Sequence, residues 1–157
     1  MNKKRLVVIA LSLILAVLLI GILIQNHIKS QEISAYNTKT ISLTALEVLE
    51  HHIQFQNDKK DYLLDLTLSD NQKNVDFKLY NIEFIEIISI EEKGYDEIAR
   101  DYVHDNISGE ITSFDVKLNV RYIREEEDRS GIKVLRYILI KEDANSPWVV
   151  YNWGVNF

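Results

Sequence analysis

The sequence predicts an α+β chain in which an N-terminal transmembrane helix precedes a helix pair packed on an antiparallel sheet. Three observations carry this. Leu6 to Ile24 is an almost unbroken aliphatic run, residues 42–68 repeat with the period of a helix, and the segments beyond residue 78 change to the period of strands. The organisation that follows is a cytoplasmic N-terminus (1–5), a transmembrane anchor (6–24), a linker (25–41) and an extracytoplasmic domain (42–157).

The run LVVIALSLILAVLLIGILI holds nineteen residues, of which only Ser12 and Gly21 are neither aliphatic nor Ala. At 1.5 Å rise it spans roughly 28 Å, the thickness of a bilayer's hydrocarbon core. Its Leu, Ile and Val side chains sum to a favourable insertion energy on the order of -5 to -9 kcal/mol. The competing reading is a cleaved signal peptide, which asks for a shorter apolar region and a small-x-small site. After Ile24 the nearest approach is Ser34-Ala35 preceded by Ile33, a poor match, so a retained anchor is favoured. Lys3, Lys4 and Arg5 before the run, against Lys29 and Glu32 after it, orient the N-terminus to the cytoplasm. The expected location is therefore the cell membrane, single-pass, with the C-terminal domain extracellular.

Gln25 to Thr40 is polar and has no hydrophobic period; it reads as a stalk, or as a continuation of the membrane helix, since no strong breaker precedes Thr40. From Ser42, residues Ala45, Leu46, Val48, Leu49, His52, Ile53 and Phe55 fall on one side of a helix, and Thr44-x-x-Glu47 is a capping box. Asn57-Asp58 interrupts the pattern. Tyr62, Leu63, Leu66 and Thr67 then resume it as a shorter second helix.

Tyr80 to Ile90 (YNIEFIEIISI) reads as a long strand buried on much of both faces. Tyr95 to His104 is a short helix or an irregular crossover. Ile111 to Arg124 is the clearest strand, with Phe114, Val116, Leu118, Val120 and Tyr122 alternating with Asp115, Lys117, Asn119 and Arg121. Lys133 to Lys141 returns, and Trp148 to Phe157 closes the sheet.

Composition bounds the chemistry. The 157 residues include no Cys, which removes zinc ribbons, Cys nucleophiles and redox pairs. Of 18 basic residues, three precede the apolar run, leaving 15 against 24 acidic ones, so the domain lacks the basic footprint of a nucleic-acid binder. No Gly-rich phosphate loop, serine elbow or HExxH occurs.

The element order, the helix Ser42 to Phe55, the Ile-rich strand Ile82 to Ile90, the hairpin ending Ile140-Lys141-Glu142 and the closing Trp148-Val149-Val150-Tyr151-Asn152-Trp153-Gly154 resemble the NTF2-like superfamily of cystatin-like α+β rolls. More narrowly they resemble small membrane-anchored domains of unknown function from Gram-positive bacteria. The resemblance implies a curved sheet wrapped around the helices, with a cone-shaped pocket in many members. It implies no reaction, because the fold hosts isomerases, dehydratases, transport adaptors and secretion-channel subunits alike.

Two residues are candidates for a pocket. His52 lies on the apolar side of its helix, the side such a roll turns toward its pocket, whereas His51, about 100° away, faces solvent and cannot share a metal ion with it. Glu86 shares parity with Ile82, Phe84, Ile88 and Ile90 and points inward if that strand is regular; a bulge would turn it away. The inward set of the clearest strand holds no acid. His104-Asp105, the sequon Asn106-Ile107-Ser108 and the acidic run Glu125 to Asp128 read more simply as solvated loops. Trp148, Tyr151, Trp153 and Phe157 split between the faces of the last strand under strict alternation. No catalytic, cofactor or metal residue is assigned. The expected role is a binding or protein-interaction module, with a structural subunit of a conjugation or secretion machine and an isomerase- or dehydratase-like enzyme as the alternatives; the expected partners are the membrane and a protein.

Overall fold

The structure is a computed structural model that describes residues 3–103, 107, 109–125 and 128–154. It divides into two units, residues 1–36 and residues 37–157. Residues 3–36 of the first belong to helix α1 (Lys3–Thr40), whose side chains 9–24 are exposed on every face; the helix is long and apolar enough to cross a membrane. The polar stretch 25–40 takes the second of its two expected forms and continues the helix, because its Gln, Lys, Glu and Ala residues support helical backbone and no Gly or Pro breaks it. The helix ends where Ser42 donates both its amide and its hydroxyl to the Lys39 carbonyl.

In the second unit, α2 (Ala45–Asn57) opens on the predicted capping box: Thr44 Oγ1 accepts the Glu47 amide at 3.3 Å, and the Thr44 amide donates to Glu47 Oε2 at 2.7 Å. Its buried face is Ala45, Val48, Leu49, His52, Ile53, Phe55 and Gln56. A left-handed Lys59 turns the chain into α3 (Asp61–Leu64), which tightens into a 3₁₀ turn over Asp65–Thr67. Strands β1 (Ile82–Glu92), β2 (Glu110–Tyr122), β3 (Gly131–Lys141) and β4 (Val149–Gly154) form one antiparallel sheet in the order β1-β2-β3-β4. Helix α4 (Glu97–Tyr102) lies in the crossover from β1 to β2. The chain is thus α+β, with a long apolar helix followed by helices and a four-stranded antiparallel sheet.

The core sits between α2 and one face of the sheet. Val48, Leu49 and Ile53 meet Phe114, Val116, Leu118 and Val120 of β2, Tyr137 and Leu139 of β3, and Val150 of β4. Register fixes which side chains share that inner face, since Phe114 pairs with Tyr137, Val116 with Leu135 and Leu118 with Lys133.

Two strands depart from strict alternation. β1 is an edge strand with most side chains exposed, not one buried on both faces. Register shifts between Ile82 and Phe84 and between Ile87 and Ser89 put Ile82, Ile85, Ile87 and Ile90 opposite the inward residues of β2, and Phe84 and Glu86 opposite the outward Arg121 and Asn119. In β4 the shift opposite Ile138 and Leu139 absorbs Tyr151, so Trp148 and Trp153 both pack against the core instead of dividing between faces.

On the outer face, Arg136 forks onto Asp115, with Nε to Oδ1 at 2.6 Å and Nη2 to Oδ2 at 2.9 Å, and gives Nη1 to Asp96 Oδ2 at 2.6 Å. Asp96 is also the N-cap of α4, accepting the Ala99 amide at 2.9 Å, so one guanidinium ties that helix to the sheet.

Candidate functional site

Between α2, the inner face of the sheet and the segment before β1 lies a cleft of about 410 Å³. Leu118 and Val120 of β2 with Leu135 and Tyr137 of β3 form its floor, because inward parity and register bring those four together. Ile82 and Ile85, turned inward by the β1 bulge, make one wall. Phe77 and Trp153, also in the lining, stack at 5.1 Å between ring centroids, 19° from parallel. Gln56, one turn beyond His52 on α2, also lines the space, and Asp76, Lys78 and Asp128 contribute charge.

One further charge stands in the cleft. Lys133 occupies an inward position opposite Leu118, half-buried. Its Nζ donates to the Tyr122 hydroxyl at 3.1 Å and lies 4.7 Å from the centre of that ring.

His52 does not line the cleft. It is fully buried behind it, edge-on to Phe77 and Tyr137, with both centroid distances 5.8 Å. The Thr67 hydroxyl donates to the Leu64 carbonyl at 2.6 Å, so its oxygen accepts the proton of His52 Nδ1 at 2.8 Å. Nε2 is then the acceptor for the Gln56 amide nitrogen, also at 2.8 Å. Burial disfavours the charged ring and lowers its pKa to about 3. His52 is thus a neutral, doubly bonded core residue, and its Nε2 holds the side chain of Gln56, which lines the cleft. His51 stacks on Phe55 at 5.8 Å, away from this arrangement.

Glu86 is exposed on the outer face, where it accepts from Asn119 Nδ2 at 3.3 Å, and is not brought together with His52. The bulge that admits Ile85 to the cleft is what removes Glu86 from it. His104-Asp105, and the sequon through Asn106 and Ser108, lie outside the described residues, as do Glu126 and Glu127 of the acidic run. Lys133 is the site residue that sequence reasoning missed: it shares parity with Leu135, Tyr137 and Leu139, the set that pairing with β2 turns inward.

Fold and cleft together define a small α+β domain with a concave, aromatic-walled site, following an N-terminal apolar helix in the sequence. Residues 46–154 match the family described as a domain of unknown function (DUF4829), and the chain belongs to that family. No curated protein and no solved structure matches the chain.

Proposed function

We propose that this chain is a single-pass membrane protein whose C-terminal domain, residues 42–157, is an extracytoplasmic ligand-binding module of the NTF2-like, cystatin-like-roll kind. Residues 6–24 cross the bilayer, residues 1–5 stay in the cytoplasm, and residues 25–41 link the anchor to the domain. The cleft carries this reading: its volume is that of a small-molecule site, and its lining combines apolar and aromatic side chains with the polar Gln56, Asp76, Lys78, Asp128 and Lys133. His52 supports binding over turnover, because it is buried outside the cleft lining with its one ring proton held by Thr67 and its other nitrogen by Gln56.

Two measurements test it. With no native Cys, single substitutions Asn2→Cys and Ala144→Cys report topology through an impermeant maleimide on intact cells; labelling at residue 144 alone is expected, and labelling at residue 2 alone reverses the orientation. The full chain, extracted in native lipid discs by a detergent-free polymer, should carry a co-purifying small molecule in native mass spectrometry. Leu135→Trp fills the cleft and should release it while the thermal transition by circular dichroism is kept. A wild-type chain that carries nothing, or a variant that carries as much, sinks the binding reading.

A further inference from the structure

We infer that the cleft selects small amphipathic carboxylates, with the ammonium of Lys133 holding the anionic group and the apolar floor and the Phe77–Trp153 wall seating the rest; this rests on the binding reading above. The argument begins from a mismatch of charge. A lysine on the inner, half-buried face of a sheet loses hydration, and such a charge is ordinarily compensated by a carboxylate. The partly buried Lys93, Arg136 and Lys141 each have one. Lys133 instead meets a neutral phenol and a ring face, and among the described residues no carboxylate lies within ion-pair distance of it. Those two contacts hold Nζ in place without neutralising it, and a primary ammonium has two further N–H donors to give.

The surroundings narrow the class of anion. Leu118, its register partner, with Val120 and Leu135 beside it offers an apolar surface next to the charge, so the complementary molecule carries one anionic end and a hydrophobic body. Asp76 and Asp128 also line the cleft and offset the charges of Lys78 and Lys133, so nothing in the lining compensates a second charge on the ligand, which favours a monoanionic carboxylate over a phosphate ester. A cationic ligand is the competing idea suggested by the aromatic walls, but Phe77 and Trp153 stack on each other and Lys133 already sits on the Tyr122 ring.

Equilibrium dialysis of the full chain in lipid discs, with empty discs as the blank, tests the inference using 3-phenylpropanoate and octanoate, the matched alcohols and the matched amines. The two acids distinguish an aryl from an alkyl body. Each acid that binds should do so at least about tenfold more tightly than its alcohol or amine, Lys133→Met should remove at least about tenfold of that affinity, and Lys133→Arg should restore most of it. Circular dichroism melts of both variants separate loss of the charge from loss of the fold. Equal or tighter binding of alcohols or amines, or an unaltered Lys133→Met, overturns the carboxylate assignment. If Leu135→Trp abolishes that unselective binding, the binding module itself stands. Binding of none of the probes also overturns the assignment, and the native mass spectrum then decides the binding reading separately.

Discussion

Gln56 donates its side-chain amide to Nε2 of His52 at 2.8 Å while the other ring nitrogen gives its proton to Thr67, so the buried imidazole is fixed as a single neutral tautomer. Stability should depend on pH through this ring. Its folded pKa of about 3 lies below the ordinary 6.5, so between these values the unfolded chain binds a proton that the folded chain refuses. The stabilisation is complete above the unfolded pKa and is lost as pH falls toward the folded one, at up to about 1.4 kcal/mol per pH unit. Asp115, held below the usual carboxylate range by its hydrogen bonds from Arg136, adds acid sensitivity at lower pH. Urea midpoints measured from pH 7 to 5 on the full chain should therefore fall more steeply for wild type than for His52→Gln. Parallel slopes would remove the titration from His52.

The two sides of α2 should answer differently to truncation. Leu49 is fully buried against the sheet and Leu46, on the same helix, is 40% exposed. Leu49→Ala should cost about 2–5 kcal/mol through lost contact and the cavity left behind, whereas Leu46→Ala should stay within about 1 kcal/mol. Denaturant unfolding of the two variants side by side checks this, and equal losses would mean that the helix is not packed by the face described.

The elements whose period is undisturbed were legible in the sequence: the apolar run, α2 with its Thr44 and Glu47 box, and β2 with its inward Phe114, Val116, Leu118 and Val120. What escaped is what bulges do. An extra residue in β1 reverses parity, so Glu86 leaves the apolar set while Ile85 joins it, and an extra residue in β4 brings Trp148 and Trp153 to one side. Single-strand alternation cannot show this, because a bulge is defined by the partner strand. Lys133 was hidden for a different reason. Both parities of β3 are apolar, with Val134, Ile138 and Ile140 outward and Leu135, Tyr137 and Leu139 inward, so neither face announces itself as the core. His52 lies on the buried side of α2, but how deep it lies depends on Phe77 and Trp153, which reach it from distant parts of the chain.

Two glycines should fail for different reasons when given a methyl group. At Gly109 a Cβ would overlap the backbone carbonyl of Lys141 and the backbone of Glu142, neither of which can rotate away. At Gly94 nothing stands in the way, but φ is +67°, a conformation L-residues adopt only with strain. Gly94→Ala should cost about 1–2 kcal/mol. Gly109→Ala should reach or exceed the ~1–3 kcal/mol of ordinary overpacking. Thermal unfolding of each variant decides the order, and a neutral Gly109→Ala would mean that this approach of two backbones is not kept in solution.

The last prediction concerns Asp96, whose two oxygens do separate work. Oδ1 accepts the Ala99 amide and caps α4, and Oδ2 accepts from Arg136, which also grips Asp115. Asp96→Asn keeps an acceptor for the cap and removes the charge from the Arg136 contact, whereas Asp96→Ala removes both. A six-residue helix has little stability of its own, so its attachment decides whether it forms. Asp96→Ala should therefore cost about 1–2 kcal/mol for the cap alone and raise hydrogen exchange across α4 more than across β2 or β3. Asp96→Asn should sit between Ala and wild type. Arg136→Lys, which cannot fork onto Asp115, should loosen α4 while leaving the cap in place. If exchange at α4 is unchanged in all three variants, the Arg136 link is incidental and Ala99, which is fully buried, anchors the helix by packing alone.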